Sequence, residues 1–171
     1  AVAEIKHIEK FLKDLLNFAK PHKLELSDVD INDLLDKTIT SFLKHPLPSS
    51  TSSSKIKVSK HFDGNLPALK ADPMQLQRVF MNLLFNAFEA MPDGGALGVK
   101  TIYDEMAKAI QIAISDTGKG IDRKMIDDVF KPFFTTKSKR SGLELAITRR
   151  IVEQHGGVIS VKSDPGKWTT F

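Results

Sequence analysis

The sequence predicts an α+β fold: a two-layer α/β sandwich with a mixed sheet and helices on one face, preceded by a coiled-coil-like helix. Three observations carry this. Apolar residues across 72–91 recur at steps of three and four, the period of one helical face. Across 109–115, Ile110, Ile112 and Ile114 alternate with polar or small residues, the period of a half-buried strand. Strands and helices also mix along the chain without a regular strand–helix alternation, which favours segregated layers over a parallel wound sheet. At 171 residues the chain has one domain's length, with room for a substantial core and a short appendage.

In chain order, residues 1–20 read as a helix. Ile5, Ile8, Leu12, Leu15 and Ala19 form a seam that calls for a second helix, and Pro21 ends it. An ordinary core helix would show the same seam. Residues 28–43 read as a second helix, capped by Ser27 or Asp28, with Ile31, Leu34, Leu35, Ile39, Phe42 and Leu43 inward. Residues 46–54 are a Pro/Ser-rich loop. Residues 55–62 alternate as a strand, Asp63-Gly64-Asn65 turns, and 66–71 adds a short strand. Asp72 caps the helix 72–91, Pro73 sits at its first position, and Pro92-Asp93-Gly94-Gly95 ends it. Residues 96–103 and 109–115 form an antiparallel pair. A short helix follows at 122–130, a basic loop at 131–141 and a helix at 142–155. A strand at 158–162, a turn at Asp164-Pro165-Gly166 and a strand from Trp168 onward complete the chain.

Composition narrows the function. No cysteine is present, so disulfides and thiolate metal sites are excluded, and the five histidines lack ligand spacing. No apolar run reaches membrane-spanning length. The formal charge of +4 suits an anionic ligand, but the basic residues are dispersed, so no nucleic-acid partner is expected.

Three sets of residues carry chemistry. Asp116 ends a hydrophobic strand and precedes Gly118 and Gly120, which allow close backbone approach. A carboxylate there accepts from an exocyclic amine, which adenine offers and guanine replaces with a carbonyl; a plain tight turn has the same spelling. Asn82 and Asn86 lie four apart on the helix 72–91, beside its apolar face and in line with Arg78. Asn86 offers a neutral oxygen of the kind Mg²⁺ accepts alongside phosphates and waters, and Asn82 is able to donate to a phosphate. Two asparagines bonded to neighbouring backbone would read alike. Finally, Lys131, Lys137, Lys139 and Arg140 crowd one loop before Ser141 and Gly142, which open a helix whose free N–H groups favour an anion. A phosphate-covering lid and a solvated basic loop both fit. Gly98-Val99-Lys100-Thr101 is no P-loop, because Val99 separates the glycine from the lysine.

Taken in order, Arg78 to Met91, Asp116 to Ile121, Phe130-Lys131-Pro132-Phe133-Phe134-Thr135-Thr136-Lys137 and Gly142 through Gly157 resemble the catalytic and ATP-binding domain of bacterial sensor histidine kinases. That family shares its Bergerat-type ATP-binding sandwich with gyrase, Hsp90 and MutL-type ATPases. Residues 1–21 resemble the second helix of the dimerisation and phosphoacceptor hairpin, leaving 22–171 as the catalytic domain. The resemblance implies ATP and Mg²⁺ as cofactors, with Asn86 as the metal ligand, Asp116 as the adenine reader and Asn82 at the phosphates as the catalytic residue. It also implies that Gly118 and Gly120 shape the base pocket. Phe133 and Lys137 would belong to the lid, Ser141, Gly142 and Leu143 to the phosphate-facing helix start, and Thr169 to the closure of the adenine pocket. It further implies transfer of the γ-phosphoryl group to a histidine on the hairpin of a homodimeric parent and relay to a response-regulator receiver domain. The location implied is cytoplasmic, with membrane attachment of the parent open.

Asn82 bears on the reaction. Hydrolysing relatives carry a glutamate at that place as general base, whereas an asparagine cannot accept a proton. Transfer to an imidazole needs no such base, because positioning and charge neutralisation do most of the work. Two departures leave a degenerate regulatory module with weak nucleotide binding as an alternative: Arg140 and Glu144 stand where the family's phosphate box has glycines. An ATPase clamp of the gyrase kind is a third reading. His7, His22, His45, His61 and His155 are none of them followed by an acidic residue, so the chain alone is not expected to autophosphorylate.

Overall fold

A computed structural model describes residues 23–44, 55–136 and 141–171. The expected helix at 1–20, the hairpin assignment for 1–21, the loop at 46–54, and Lys137, Lys139 and Arg140 lie outside the described residues.

The elements in order are β1 (Ser27–Val29), α1 (Ile31–Lys44), β2 (Ile56–His61), β3 (Leu69–Ala71), α2 (Pro73–Ala90), β4 (Gly95–Asp104), β5 (Ala109–Asp116), a 3-10 helix (Arg123–Asp128), α3 (Glu144–Gln154), β6 (Lys162–Asp164) and β7 (Trp168–Thr170). A five-stranded sheet runs β2-β4-β5-β7-β6, and β1 pairs with β3 in a separate ribbon. β2 and β4 are parallel, and the other neighbours are antiparallel, so the sheet is mixed as expected. Along β4, Leu97, Val99 and Thr101 are buried while Ala96, Lys100 and Ile102 are exposed. One face of the sheet therefore carries the core, and the three helices supply the opposite layer.

α2 is the centre of that layer, packed against α1, α3 and β5. Asp72 caps it: its Oδ1 accepts from Met74 N at 3.0 Å and Gln75 N at 3.1 Å, while Pro73 lacks an N–H that would have had no partner. Leu76, Val79, Phe80, Leu83, Leu84, Ala87 and Phe88 are buried. Each of the larger side chains contributes about 1.5–3 kcal/mol by leaving water. Phe88 meets Phe42 of α1 edge to face, with ring centroids 4.9 Å apart.

Three elements and one burial assignment differ from the sequence reading. Residues 27–29 form a strand, so α1 starts at Ile31, and its cap is Asp30, whose Oδ1 accepts from Asp33 N at 3.0 Å. Leu43, expected inward, is exposed, and Thr38 takes a core place by donating its hydroxyl to Leu34 O at 2.6 Å. The short helix expected at 122–130 is a 3-10 turn capped by Asp122. The strand expected at 158–162 lies at 162–164 instead, because the turn after Asp164 fixes its register against β7. Among the described residues, no helix is long and apolar enough to cross a membrane.

His155 locks the helical layer together. Its Nε2 accepts from Asp72 N at 3.0 Å, which leaves Nδ1–H to donate to Ile151 O at 2.8 Å. The ring thus ties the end of α3 to the start of α2. This fits the helix-terminal structural role that its place beside Gly156-Gly157 suggests.

Candidate functional site

A cleft of about 350 Å³ opens between α2, the segment after β5, the 3-10 helix, the start of α3 and β7. Of the residues singled out from sequence, Asn86, Asp116, Gly120, Gly142 and Thr169 line it. They come from four separate parts of the chain, and the fold brings them to one place.

Asp116 is the last residue of β5 and 4% exposed. Its Oδ1 accepts from Gly118 N at 2.9 Å. No buried side-chain oxygen or nitrogen among the described residues lacks a partner, so Oδ2 faces the cleft rather than a sealed pocket. Burial pushes the carboxyl up from 3.8 to about 6, and the Gly118 N–H offsets only part of that. The group is therefore a desolvated acceptor directed at whatever enters the cleft.

The glycines hold the segment after Asp116 close to its neighbours. A Cβ on Gly118 would stand 2.6 Å from both Cβ and O of Ala90, at the end of α2, and Lys119 N donates to that same Ala90 O at 3.1 Å. Gly120 has φ +68°, and a Cβ there would stand 2.5 Å from Asp164 O. The turn is thus pinned between α2 and β6. Gly118 shapes the pocket from behind by holding Asp116, and Gly120 shapes it directly.

β7 closes the base of the cleft. Thr169 pairs with Asp116 across the ladder and is buried. Phe171, beside it, meets Phe130 edge to face at 6.2 Å. Ile121, Met125, Val129 and Leu145 complete an apolar lining that the sequence did not single out. Ile121, Met125 and Val129 sit in short irregular segments where periodicity gives no signal, and Leu145 is in the first turn of α3.

The remaining expected residues lie beside the cleft. Asn82 donates its Nδ2 to Glu144 O and to Thr148 Oγ1, both at 3.3 Å, and so joins α2 to the first turn of α3. α3 begins at Glu144 rather than at Gly142; Leu143 is its N-cap residue and makes no side-chain cap. Leu143 is completely buried in the core and does not line the cleft. Ser141 Oγ accepts from Leu143 N at 3.4 Å and lies 3.5 Å from Glu144 Oε2. Glu144 lines the cleft. Phe133 is exposed, at φ +66°, on the approach to the cleft.

No group of three or more His, Cys, Asp or Glu able to hold a metal occurs among the described residues. The cleft presents Asn86 instead, a neutral donor suited to a cation that brings most of its own oxygen ligands. With a carboxylate acceptor at the apolar end and an asparagine near the anion-favouring start of α3, the donor set fits a nucleotide with its phosphates and Mg²⁺.

Residues 71–171 match the family described as histidine kinase-, DNA gyrase B-, and HSP90-like ATPase. The chain is 35% identical over 168 residues to the sensor histidine kinase ZraS of Escherichia coli strain K12, covering 98% of this chain and 35% of that protein. It is 34% identical over 169 residues to sporulation kinase A of Bacillus subtilis strain 168, covering 99% and 27%. The chain thus spans about a third of the length of such relatives. Full-length ShkA, solved in complex with AMPPNP, shares the fold at TM-score 0.78 and 23% identity over 96% of this chain and 35% of that one. The histidine kinase ThkA, solved in complex with the response regulator protein TrrA, does so at TM-score 0.76 and 23% identity over 99% and 48%.

Proposed function

From the premise that the chain belongs to the histidine kinase-, DNA gyrase B- and HSP90-like ATPase family, we propose that it is the ATP-binding catalytic domain of a two-component sensor histidine kinase. The observation that carries the reading is the buried, desolvated Asp116 carboxylate at the apolar end of a cleft that also presents Asn86.

In this reading adenine enters between Ile121, Met125 and Phe171, and its amine donates to Asp116 Oδ2. Asn86 would hold Mg²⁺, which when bound would supply neutralisation of phosphate charge. Asn82 reaches a phosphate oxygen by giving up its bonds to α3, which at 3.3 Å are longer than the usual 2.9–3.0 Å and cheap to exchange. Gly142, in the turn before α3, faces the phosphates, while Phe133 and Lys137 belong to the cover over them. No residue in this set is a general base for water, so the site favours transfer over hydrolysis and argues against an ATPase clamp.

The acceptor is a histidine on a dimerisation hairpin of the same kinase, to which residues 1–21 belong, and a response-regulator receiver domain takes the phosphoryl group from it. The ThkA–TrrA complex supports that partner by analogy of fold. The parent is a homodimer whose catalytic domain is cytoplasmic.

Glu144 favours a second reading. It places a carboxylate in the same cleft as Asp116, and two negative groups there oppose a polyphosphate. A regulatory module that binds nucleotide weakly would follow. Calorimetry with ADP separates the two. The kinase reading expects saturable binding that tightens on adding Mg²⁺, and Asn86→Ala should abolish the Mg²⁺ dependence while leaving metal-free ADP binding within about threefold. No binding at millimolar ADP would favour the regulatory reading, and Mg²⁺ dependence surviving in Asn86→Ala would remove Asn86 as the ligand.

A further inference from the structure

We infer that Ser163 is a positioning residue that fixes the hydroxyl of Thr169 so that the cleft wall presents only acceptors to the incoming base. The inference rests on the adenine-nucleotide reading above and adds a residue, outside the cleft lining, that would set its selectivity.

Ser163 sits on β6, and its Oγ meets three partners. Ile121 N donates to it at 2.8 Å. Trp168 O lies 2.7 Å away, and Thr169 Oγ1 lies 3.0 Å away. A carbonyl oxygen only accepts, so the single Ser163 proton is committed to Trp168 O. The oxygen then has two lone pairs. One takes Ile121 N–H, and the other is left for Thr169, which must be the donor of its bond. The serine is used to its full capacity, and no freedom remains to reverse the pair.

The consequence reaches the cleft. Thr169 spends its proton on Ser163, so toward the ligand its Oγ1 has lone pairs alone. Ile114 and Phe171 exchange both backbone bonds at 3.0 Å, and Asp116 and Thr169 are the partners two residues along that ladder. Their side chains therefore emerge on the same face as direct neighbours. A carboxylate and a hydroxyl oxygen locked as acceptors stand together. A group with two protons to give, such as an exocyclic amine, satisfies both, directly or through one water. A carbonyl at the same place meets two acceptors and is rejected. Were the Thr169 proton free, the hydroxyl would turn and donate to that carbonyl, and discrimination would fall. The same serine holds Ile121 N, so the segment carrying Gly118 and Gly120 and the hydroxyl orientation depend on one atom.

Affinities of the purified chain for ADP and for IDP, which carries a carbonyl in place of the adenine amine, test this. Ser163→Ala should lower the ADP-to-IDP affinity ratio about tenfold, the effect of one hydrogen bond in an enclosed site. Ser163→Thr keeps the hydroxyl and should retain the ratio. Thr169→Val keeps strand shape without the hydroxyl, and Ser163→Ala added to Thr169→Val should move the ratio no further. A merely structural serine would weaken both nucleotides equally and leave the ratio unchanged, which overturns the inference; so would additive effects in the double variant. Should Ser163→Ala fail to fold, Ser163→Thr and Thr169→Val still decide, because a ratio unmoved by Thr169→Val refutes the role. Absence of ADP binding by the unaltered chain would instead refute the nucleotide reading itself, and the inference with it.

Discussion

Asp116→Asn is expected to weaken ADP binding about a hundredfold and, in the same chain without ligand, to raise the melting temperature at pH 8. The first effect follows from replacing a charged acceptor with an amide whose NH₂ group opposes the adenine amine; hydrogen bonds to charged groups contribute about 1.5–3 kcal/mol. The second follows from burial. A carboxyl raised from 3.8 to about 6 in the fold is one whose ionised form the fold disfavours. A shift of about two units corresponds to roughly 3 kcal/mol, an upper bound for the gain because the amide is also desolvated. The sign follows from linkage. Below the unfolded value the carboxyl is protonated in both states and costs nothing. The cost grows as pH rises from about 4 to about 6 and is constant above. Thermal melts at pH 4 should therefore barely separate the two chains, and melts at pH 8 should place the asparagine variant higher. An asparagine variant that melts lower at pH 8 would show that the carboxylate stabilises the fold rather than straining it. The opposed effects on binding and stability are those of a group retained for a ligand.

Asp72→Ala should destabilise the chain by about 3 kcal/mol in chemical denaturation, more than an ordinary cap. The side chain serves three backbone donors: Met74 N and Gln75 N on one oxygen, and Glu25 N at 3.0 Å on the other. It is buried, so removing it leaves those donors short of both protein and water. Burial pushes its pKa up, but the backbone N–H donors, Glu25 first, then Gln75 and Met74, more than reverse this and hold it below the ordinary carboxylate value. The contribution is thus complete above that ordinary value, near 3.8, and is lost as pH falls through the lower value in the fold. The alanine variant should accordingly lose its stability deficit relative to the unaltered chain only in strong acid. A loss under about 1 kcal/mol would mean that the Glu25 segment detaches without cost. Because Asp72 starts the helix that carries Asn82 and Asn86, nucleotide binding should weaken alongside stability.

Legibility followed the range of the interactions. α2 was readable nearly to the residue, because its cap, its proline and its apolar face are all local. β4 and β5 were readable for the same reason, through alternation and a short turn. β1 was not: three residues become a strand only because β3, some forty positions later, pairs with them, and no local pattern announces that. The strand at 158–162 misled because its apolar residues suggest a ladder, while the partner β7 is fixed by the turn to pair with 162–164. At the site, Asp116, Asn86, Gly120 and Gly142 were legible because their chemistry is unusual for their positions, whereas Thr169 came only through the family resemblance. Asn82 was legible as a polar residue on a buried helix, but its partners on α3 were not. Ile121, Met125 and Phe171 were illegible, since apolar residues in short segments look like any core. Ser163 carried no signal until its three neighbours were in place around it.

The central claim is that the Asp116 cleft reads adenine. Titration of the unaltered chain with ADP and with GDP, both with Mg²⁺ at pH 8, tests it most directly. ADP should bind saturably and GDP at least about a hundredfold more weakly, because the guanine carbonyl would face the carboxylate and the locked Thr169 oxygen. Equal affinity for the two, or no ADP binding at millimolar concentration, would contradict it.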